Sequence, residues 1–428
     1  MDDTTSAYRD DRGQSGSEEM TSLSGGLAKG AALKWAALLE SVRLARPRSA
    51  LRLPPGIAAW AEAELGGELS RRGRGASSHL DESNAALVAS LRAETEALNR
   101  NNVTRTAAYL DIYRTHPELH WALLAHLVSR NGGWNMTDLQ GAWLPRLLPQ
   151  HDRAKLFGML ESCNALIFRD AYPQLRLYEE SRRAGRSRFA LLSAFGVSAF
   201  MKPFWERFWI ERDPAALTVA LIVNEQHVIE RRIVQDPAYK NSVLGSAAFK
   251  SMRPLQLQQV VVPMGGVLPA RDAGPAAVLA GRVLESFASV DERIAFGKSL
   301  YAMLFAYPKV LGGALAFAET VAHTGSRADY WPDRFRPGGE EAQPERRDGG
   351  TAGRLWHSPR LEQAWPDRPL GPVDETDWLS DLSVLRHFRR LRPPLVFVMT
   401  HEHEYGQRKL EAAAAALERL GRQHASRA

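Results

Sequence analysis

Apolar residues recur at three- and four-residue spacing along most of the chain, the period at which side chains share one face of an α-helix. The pattern predicts helices over 31–45, 57–69, 85–98, 104–114, 118–130, 152–164, 170–184, 198–211, 214–235, 289–306, 308–322, 374–390 and 405–420. Local chemistry marks several of their ends. Asp213 before Pro214, and Ser289 with Glu292 three residues on, read as helix N-termini, because a side-chain oxygen there accepts from the free N–H groups of the first turn. Gly132-Gly133 is expected to end the 118–130 helix, since glycine tolerates the positive φ of a C-cap. Thr137-Asp138-Leu139-Gln140 is expected to open the next one as a capping box. Pro173 is placed in the first turn of the 170–184 helix. Residues 240–280 read as irregular, and 395–399 as one short strand or the buried start of a helix. The expected fold class is therefore all-α: a large multi-helix domain with buried polar helices and few or no strands.

Patterning weakens outside this region. Residues 1–28 are rich in Ser, Gly and Asp with almost no large apolar groups, and are expected to form a disordered tail. Residues 29–80 read as appended helices, 81–332 as the principal helical domain, 333–356 as a flexible insert rich in Gly, Pro, Glu and Arg, and 357–428 as C-terminal helices packing on the principal domain.

Composition narrows the function classes. Apolar residues make up 44% of 428, enough for a sizeable core. The basic excess, 55 Lys and Arg against 49 Asp and Glu, is modest, so nucleic-acid binding is not favoured without basic residues gathered on one face. The single cysteine, Cys163, excludes disulfides within the chain and Cys-rich zinc sites. The first residues are polar and acidic, unlike a secretory signal. The most apolar stretch, 299–322, contains Pro308, Lys309 and Glu319 and reads as two buried helices rather than a membrane span. The expectation is a cytoplasmic protein with no membrane insertion and with partners unknown.

The candidate chemistry lies where polar groups interrupt apolar helices. Residues 118–143 carry His120, His126, Arg130 and Asn131, and 217–232 carry Asn224, Glu225 and His227. Buried polar groups need partners, at ~1–3 kcal/mol each when left without one. The two stretches are therefore expected to face each other, with Arg130 paired to Glu225. Glu225, His227 and His126 are the catalytic candidates. Arg130, Asn131, Asn224, His323, Arg327 and Asp329 are candidates for holding an anion, the last three from the loop H-T-G-S-R-A-D-Y-W-P at 323–332. His116 with His120, and the run His401-Glu402-His403-Glu404, lack the spacing of established metal motifs, so no metal and no cofactor is expected. The phosphate-loop, dinucleotide-binding and nucleophile-elbow signatures are absent.

Four stretches carry a resemblance: H-W-A-L-L-A-H-L-V-S-R-N-G-G-W-N-M-T-D-L, L-I-F-R-D-A-Y-P-Q-L, L-T-V-A-L-I-V-N-E-Q-H-V-I-E and H-T-G-S-R-A-D-Y-W-P. In this order, across roughly 85–390, the chain resembles the YppC-like bacterial proteins, a family of unknown function. The resemblance implies a Gram-positive, spore-former-like source and a cytoplasmic protein. It implies no catalytic residue. The N-terminal tail and the stretch 337–354 depart from it. Two function classes follow from the residues: a helical interaction or scaffold protein whose buried polar groups specify the fold, or a hydrolase-type enzyme acting on an anionic substrate through an Arg/Glu/His centre.

Overall fold

The computed structural model describes residues 32–72, 80–246, 249, 258–264, 278–338, 355–371, 373–374 and 376–425. The expected tail at 1–28 and the central part of the expected insert, 339–354, lie outside the described residues. The fold is predominantly α-helical. Two two-stranded sheets are present among the described residues.

The first helices are α1 (32–44), α2 (Ile57–Arg72), α3 (Glu82–Leu98) and α4 (Asn102–Thr115). Asn101 caps α4: its side chain accepts from the Val103 and Thr104 N–H groups, and Thr104 Oγ1 accepts from the Asn101 N–H. The following helix, α5 (His120–Asp138), packs on α4, Asn102 meeting Ser129 and Thr106 meeting His126, and does not stop at the glycine pair. It continues for five residues past Gly133, and Thr137 closes it instead, donating to Trp134 O at 3.2 Å and Gly325 O at 2.7 Å. Glycine permits a helix end without imposing one, and burial of Trp134 and Met136 on both sides of the axis holds this turn helical.

After the short α6 (Leu144–Leu147), the two helices expected at 152–164 and 170–184 are one 35-residue helix, α7 (Gln150–Ala184), with Pro173 in its interior. An interior proline costs ~3 kcal/mol in an isolated helix. Here the flanking turns are locked by burial of Ala171, Tyr172, Gln174 and Leu175, which offsets that cost. Helices α8 (Met201–Glu211) and α9 (Pro214–Ile229) follow, and α9 passes into a π turn at Glu230–Val234. Asp213 caps α9 through the Ala215 N–H, as its position before Pro214 predicts.

Residues 240–280 are not wholly irregular. Strand β1 (Gln259–Met264) pairs antiparallel with β2 (Val278–Val283), from Gln259 opposite Val283 to Met264 opposite Val278. The far edge of β2 is covered by the stretch around Val398: Gly281 N–H donates to Phe397 O and Met399 N–H to Leu279 O, both at 2.8 Å. The 395–399 run is thus strand-like, and its role exists only because β2 lies beside it. The remaining long helices are α10 (Val290–Ala306), α11 (Pro308–Thr320) and α12 (Thr400–Ala425). Helices α10 and α11 meet at 96°, and no single described helix is long and apolar enough to cross a membrane. The helix expected at 374–390 is a single 3-10 segment, Ser383–Phe388. Asp374 and Asp381 instead turn the chain there by accepting the backbone N–H groups of Thr376 and Ser383.

The largest core joins Ala61 and Leu65 of α2 to Leu123, Leu175, Trp205, Val219, Leu304 and Phe397. A second core gathers Met136, Phe157, Val228 and, from α12, Leu410 and Ala414.

Candidate functional site

Helices α4, α5, α7, α9 and α10, with β1, line a cavity of about 250 Å³. Its walls are mainly apolar, with Leu124, Val128, Ile167, Phe296 and Leu300 among them. Polar groups enter at a few points, and Glu225 is the most consequential. Glu225 Oε2 accepts from Trp121 Nε1 and Oε1 from Gln226 Nε2, both at 3.1 Å. Both donors are neutral. With no cation beside it among the described residues, burial pushes the carboxyl up to about 8; the two donors oppose the rise, and the nearby Asp170 adds to it. Asp170 is itself pushed up to about 7 by burial, against the pull of Arg232 and of its Asn224 and Gln174 donors.

Arginines do reach this cavity, but internal acceptors hold them. Arg105 on α4 donates to Glu161 Oε1 at 2.5 Å and to Asn99 Oδ1 at 3.2 Å, with both charged side chains almost fully buried. Arg293 on α10 donates to Gln226 Oε1 at 2.9 Å, to Glu230 Oε2 at 2.6 Å and to Phe287 O. Because Arg293 fixes the Gln226 oxygen, the Gln226 amide nitrogen is turned toward Glu225. Sequence reading missed Arg105, Glu161, Asp170, Gln226 and Arg293. The legible signal was a charge at a core-facing position of an otherwise apolar helical stripe, as at Arg105 in T-R-T-A-A-Y-L.

Of the sequence-predicted residues, Glu225 and Asn131 reach the cavity. Arg130 does not pair with Glu225. Its guanidinium donates to Val321 O at 2.6 Å and Ala322 O at 3.2 Å and lies 4.3 Å over the Phe317 ring, so it caps the C-terminal end of α11. Asn131 acts as a surrogate strand: Oδ1 accepts from Val261 N–H and Nδ2 donates to Val261 O, each at 2.9 Å, closing the free edge of β1. Asn224 donates to Asp170 and accepts from Trp378 Nε1 at 2.9 Å. His227, two residues from Glu225 and so on the other side of α9, stacks on Trp378 at 4.3 Å; burial lowers it to about 4. His126 donates from Nδ1 to Thr106 O at 2.8 Å, and burial lowers it to about 3.

The 323–332 loop is pinned rather than open. Arg327 grips Asp138 at 2.7 Å through Nε and Nη2 and lies 4.2 Å over Trp134. Asp329 accepts from the Thr324 N–H and Oγ1 at 2.7 and 2.8 Å. His323 Nε2 donates to Asn102 Oδ1 at 2.8 Å, and Asn102 Nδ2 donates to Ser129 Oγ at 2.9 Å. His323 Nδ1 is 3.7 Å from Asp329 Oδ2. This places an acid, an imidazole and a cavity-lining serine in sequence, but an amide separates the histidine from the hydroxyl, and an amide does not relay a proton as an imidazole does. Ser129 is therefore not an activated nucleophile in this arrangement. Of the other histidines, His120 Nδ1 meets Tyr301 OH at 3.0 Å, while His403 lies between Gln259 and Gln407.

The glycine pair serves this chain of contacts. A Cβ on Gly133 would come within 2.6 Å of Asn102 Oδ1 and of His323 Cε1, whereas one on Gly132 would meet Asn164 at an ordinary 3.5 Å. Helix propensity alone favours alanine at either position by up to ~1 kcal/mol. Overpacking at Gly133 reverses that sign. Gly133→Ala is expected to lose ~1–3 kcal/mol in urea unfolding while Gly132→Ala is neutral or stabilising. Equal effects of the two would refute the close approach.

Residues 97–409 match the family model described as "Protein of unknown function (DUF2515)". The chain is 35% identical over 331 residues, 77% of its length and 94% of the relative's, to the uncharacterized protein YppC of Bacillus subtilis (strain 168). No solved structure matches. The matched span contains every residue of the cavity named above, and the chain belongs to this YppC-like family of unknown function.

Proposed function

We propose that the protein is a cytoplasmic small-molecule-binding protein whose helical cavity takes a mainly apolar ligand, with Glu225 at its polar end. The observation that carries this is an acid on the wall of an apolar cavity with no cation beside it among the described residues. A polar network kept only for architecture pairs its charges, as Arg105–Glu161 and Arg327–Asp138 do. Glu225 is left with neutral donors at a stability cost, and residues held against stability in a cavity are ligand-contact candidates. The volume suits on the order of ten non-hydrogen atoms, judged against benzene in a cavity of ~150 Å³. A carboxyl pushed to about 8 is also placed for acid–base work near neutral pH, which keeps Glu225 the catalytic candidate should the ligand be a substrate. The free, buried Cys163 is in keeping with a reducing compartment.

Cys163 supplies the test. It lines the cavity and is the chain's single cysteine, its thiol pushed up to about 12 by burial. Methylmercury is expected to modify it slowly, and n-octanol to slow that reaction further while raising Tm. In Ala125→Trp, which fills the cavity wall, octanol is expected to leave Tm unchanged. If octanol, octylamine and octanoate at millimolar concentration all leave both the thiol reaction and Tm unaltered in the native protein, the ligand-binding reading falls.

A further inference from the structure

Resting on that ligand-binding reading, we propose that the cavity selects a small amphipathic amine whose cationic head sits on Glu225. Each Glu225 oxygen accepts a single hydrogen bond and keeps capacity for another. Asn135 Oδ1 and Gln258 Oε1, on the same cavity, are buried acceptors without partners among the described residues. The guanidinium donors run the other way. Arg293 is engaged by Gln226, Glu230 and the Phe287 carbonyl. Arg105 is engaged by Glu161 and Asn99; its Nε stays unpartnered, within a guanidinium whose charge Glu161 balances. An anion would meet arginines already neutralised, and a carboxyl group.

The charge around Glu225 points the same way. Arg105 and Tyr109 on α4, Cys163 on α7 and Arg293 on α10 line the same cavity, and Asp170 on α7 acts on Glu225 from nearby. Arg105 and Arg293 each hold one carboxylate, and Arg232 lies near Asp170 while donating to Asp374 O. Among the described residues no cation is left for Glu225. An ammonium would supply it and drive the carboxyl to ionise, so binding would release a proton wherever the empty site is protonated. The apolar walls take the rest of the molecule.

The test compares n-octylamine, n-octanol and octanoate by calorimetry on the full chain. Octylamine, cationic throughout, is expected to bind at least ~10-fold tighter than octanol at pH about 8, and octanoate more weakly than either. Its affinity is expected to rise with increasing pH by up to ~10-fold per unit until about pH 8 and to level above it, with a proton released to buffer below about 8, while octanol stays flat. In Glu225→Gln the amine is expected to fall to within ~3-fold of octanol, with octanol binding retained. Octanoate binding as tightly as octylamine, or an unchanged amine preference in Glu225→Gln, would overturn the amine proposal while leaving the cavity reading intact. Should that variant not fold, the pH dependence in the native protein decides alone: a flat octylamine profile overturns it. Failure of all three probes instead removes the ligand-binding reading beneath it.

Discussion

Asp138→Ala is expected to unfold at much lower urea than the native protein, with a loss of ~3–5 kcal/mol. Arg327 is almost wholly buried, held by Asp138 at 2.7 Å and surrounded by Trp134, Trp331 and Phe335. The aromatic faces stabilise a cation by ~2 kcal/mol or less each, which does not replace a carboxylate in a space closed to water. The variant would leave a guanidinium buried without a counter-charge, and relief requires the 323–332 loop to open. That loop also carries Gly325 O, the acceptor for Thr137 at the end of α5. The double variant Asp138→Leu with Arg327→Met removes both charges and is expected to recover most of the loss, because a paired ion and a matched apolar contact are close in energy. Urea midpoints for the single and double variants decide it. A loss below ~1 kcal/mol for Asp138→Ala would mean that water reaches Arg327 and that the loop is not a sealed latch.

The second large effect concerns pH. Glu225 and Asp170 hold protons in the folded state up to about 8 and about 7, whereas their ordinary values are 4.5 and 3.8. Between those limits the unfolded chain binds fewer protons than the folded one, so these acids lower stability as pH rises. The buried histidines act oppositely: His120 and His227 are lowered to about 4 and His126 to about 3 by burial, so their contribution is lost as pH falls below 6.5. Stability is expected to peak near pH ~6.5 and to decline on both sides. On the alkaline side Glu225→Gln, which keeps the shape of the neutral acid and cannot ionise, is expected to gain ~2 kcal/mol over the native protein between about pH 6.5 and 8.5. Urea unfolding of both proteins at the two pH values measures this directly. Parallel pH profiles would show that the Glu225 carboxyl is already ionised and solvated in the folded state.

The sequence alone determined the features set by neighbours along the chain. Helical periodicity fixed the all-α class, because an apolar face at 3.6-residue spacing can be buried only in that conformation. Caps such as Asp213 and Ser289 were legible because the oxygen and the N–H it serves lie within three residues. The 118–143 and 217–232 stretches stood out because buried polar residues need partners, and Glu225 does reach the cavity. What the partners are was decided by tertiary structure. Arg130 faces the end of α11 across 191 residues, and Asn131 closes the edge of β1 across 130. Such distances leave no local spacing to read. The strands at 259–264 and 278–283 exist because Asn131 on one side and Phe397–Met399 on the other satisfy their outer edges. Gly132-Gly133, a stop signal by local rules, is interior helix because the turn after it is buried through Trp134 and Met136, and position 133 is glycine because Asn102 and His323 approach its Cα too closely for a side chain. The cavity, too, belongs to the tertiary level, since it is the space five helices and a strand leave unfilled, and only that space makes Glu225 an acid with room beside it.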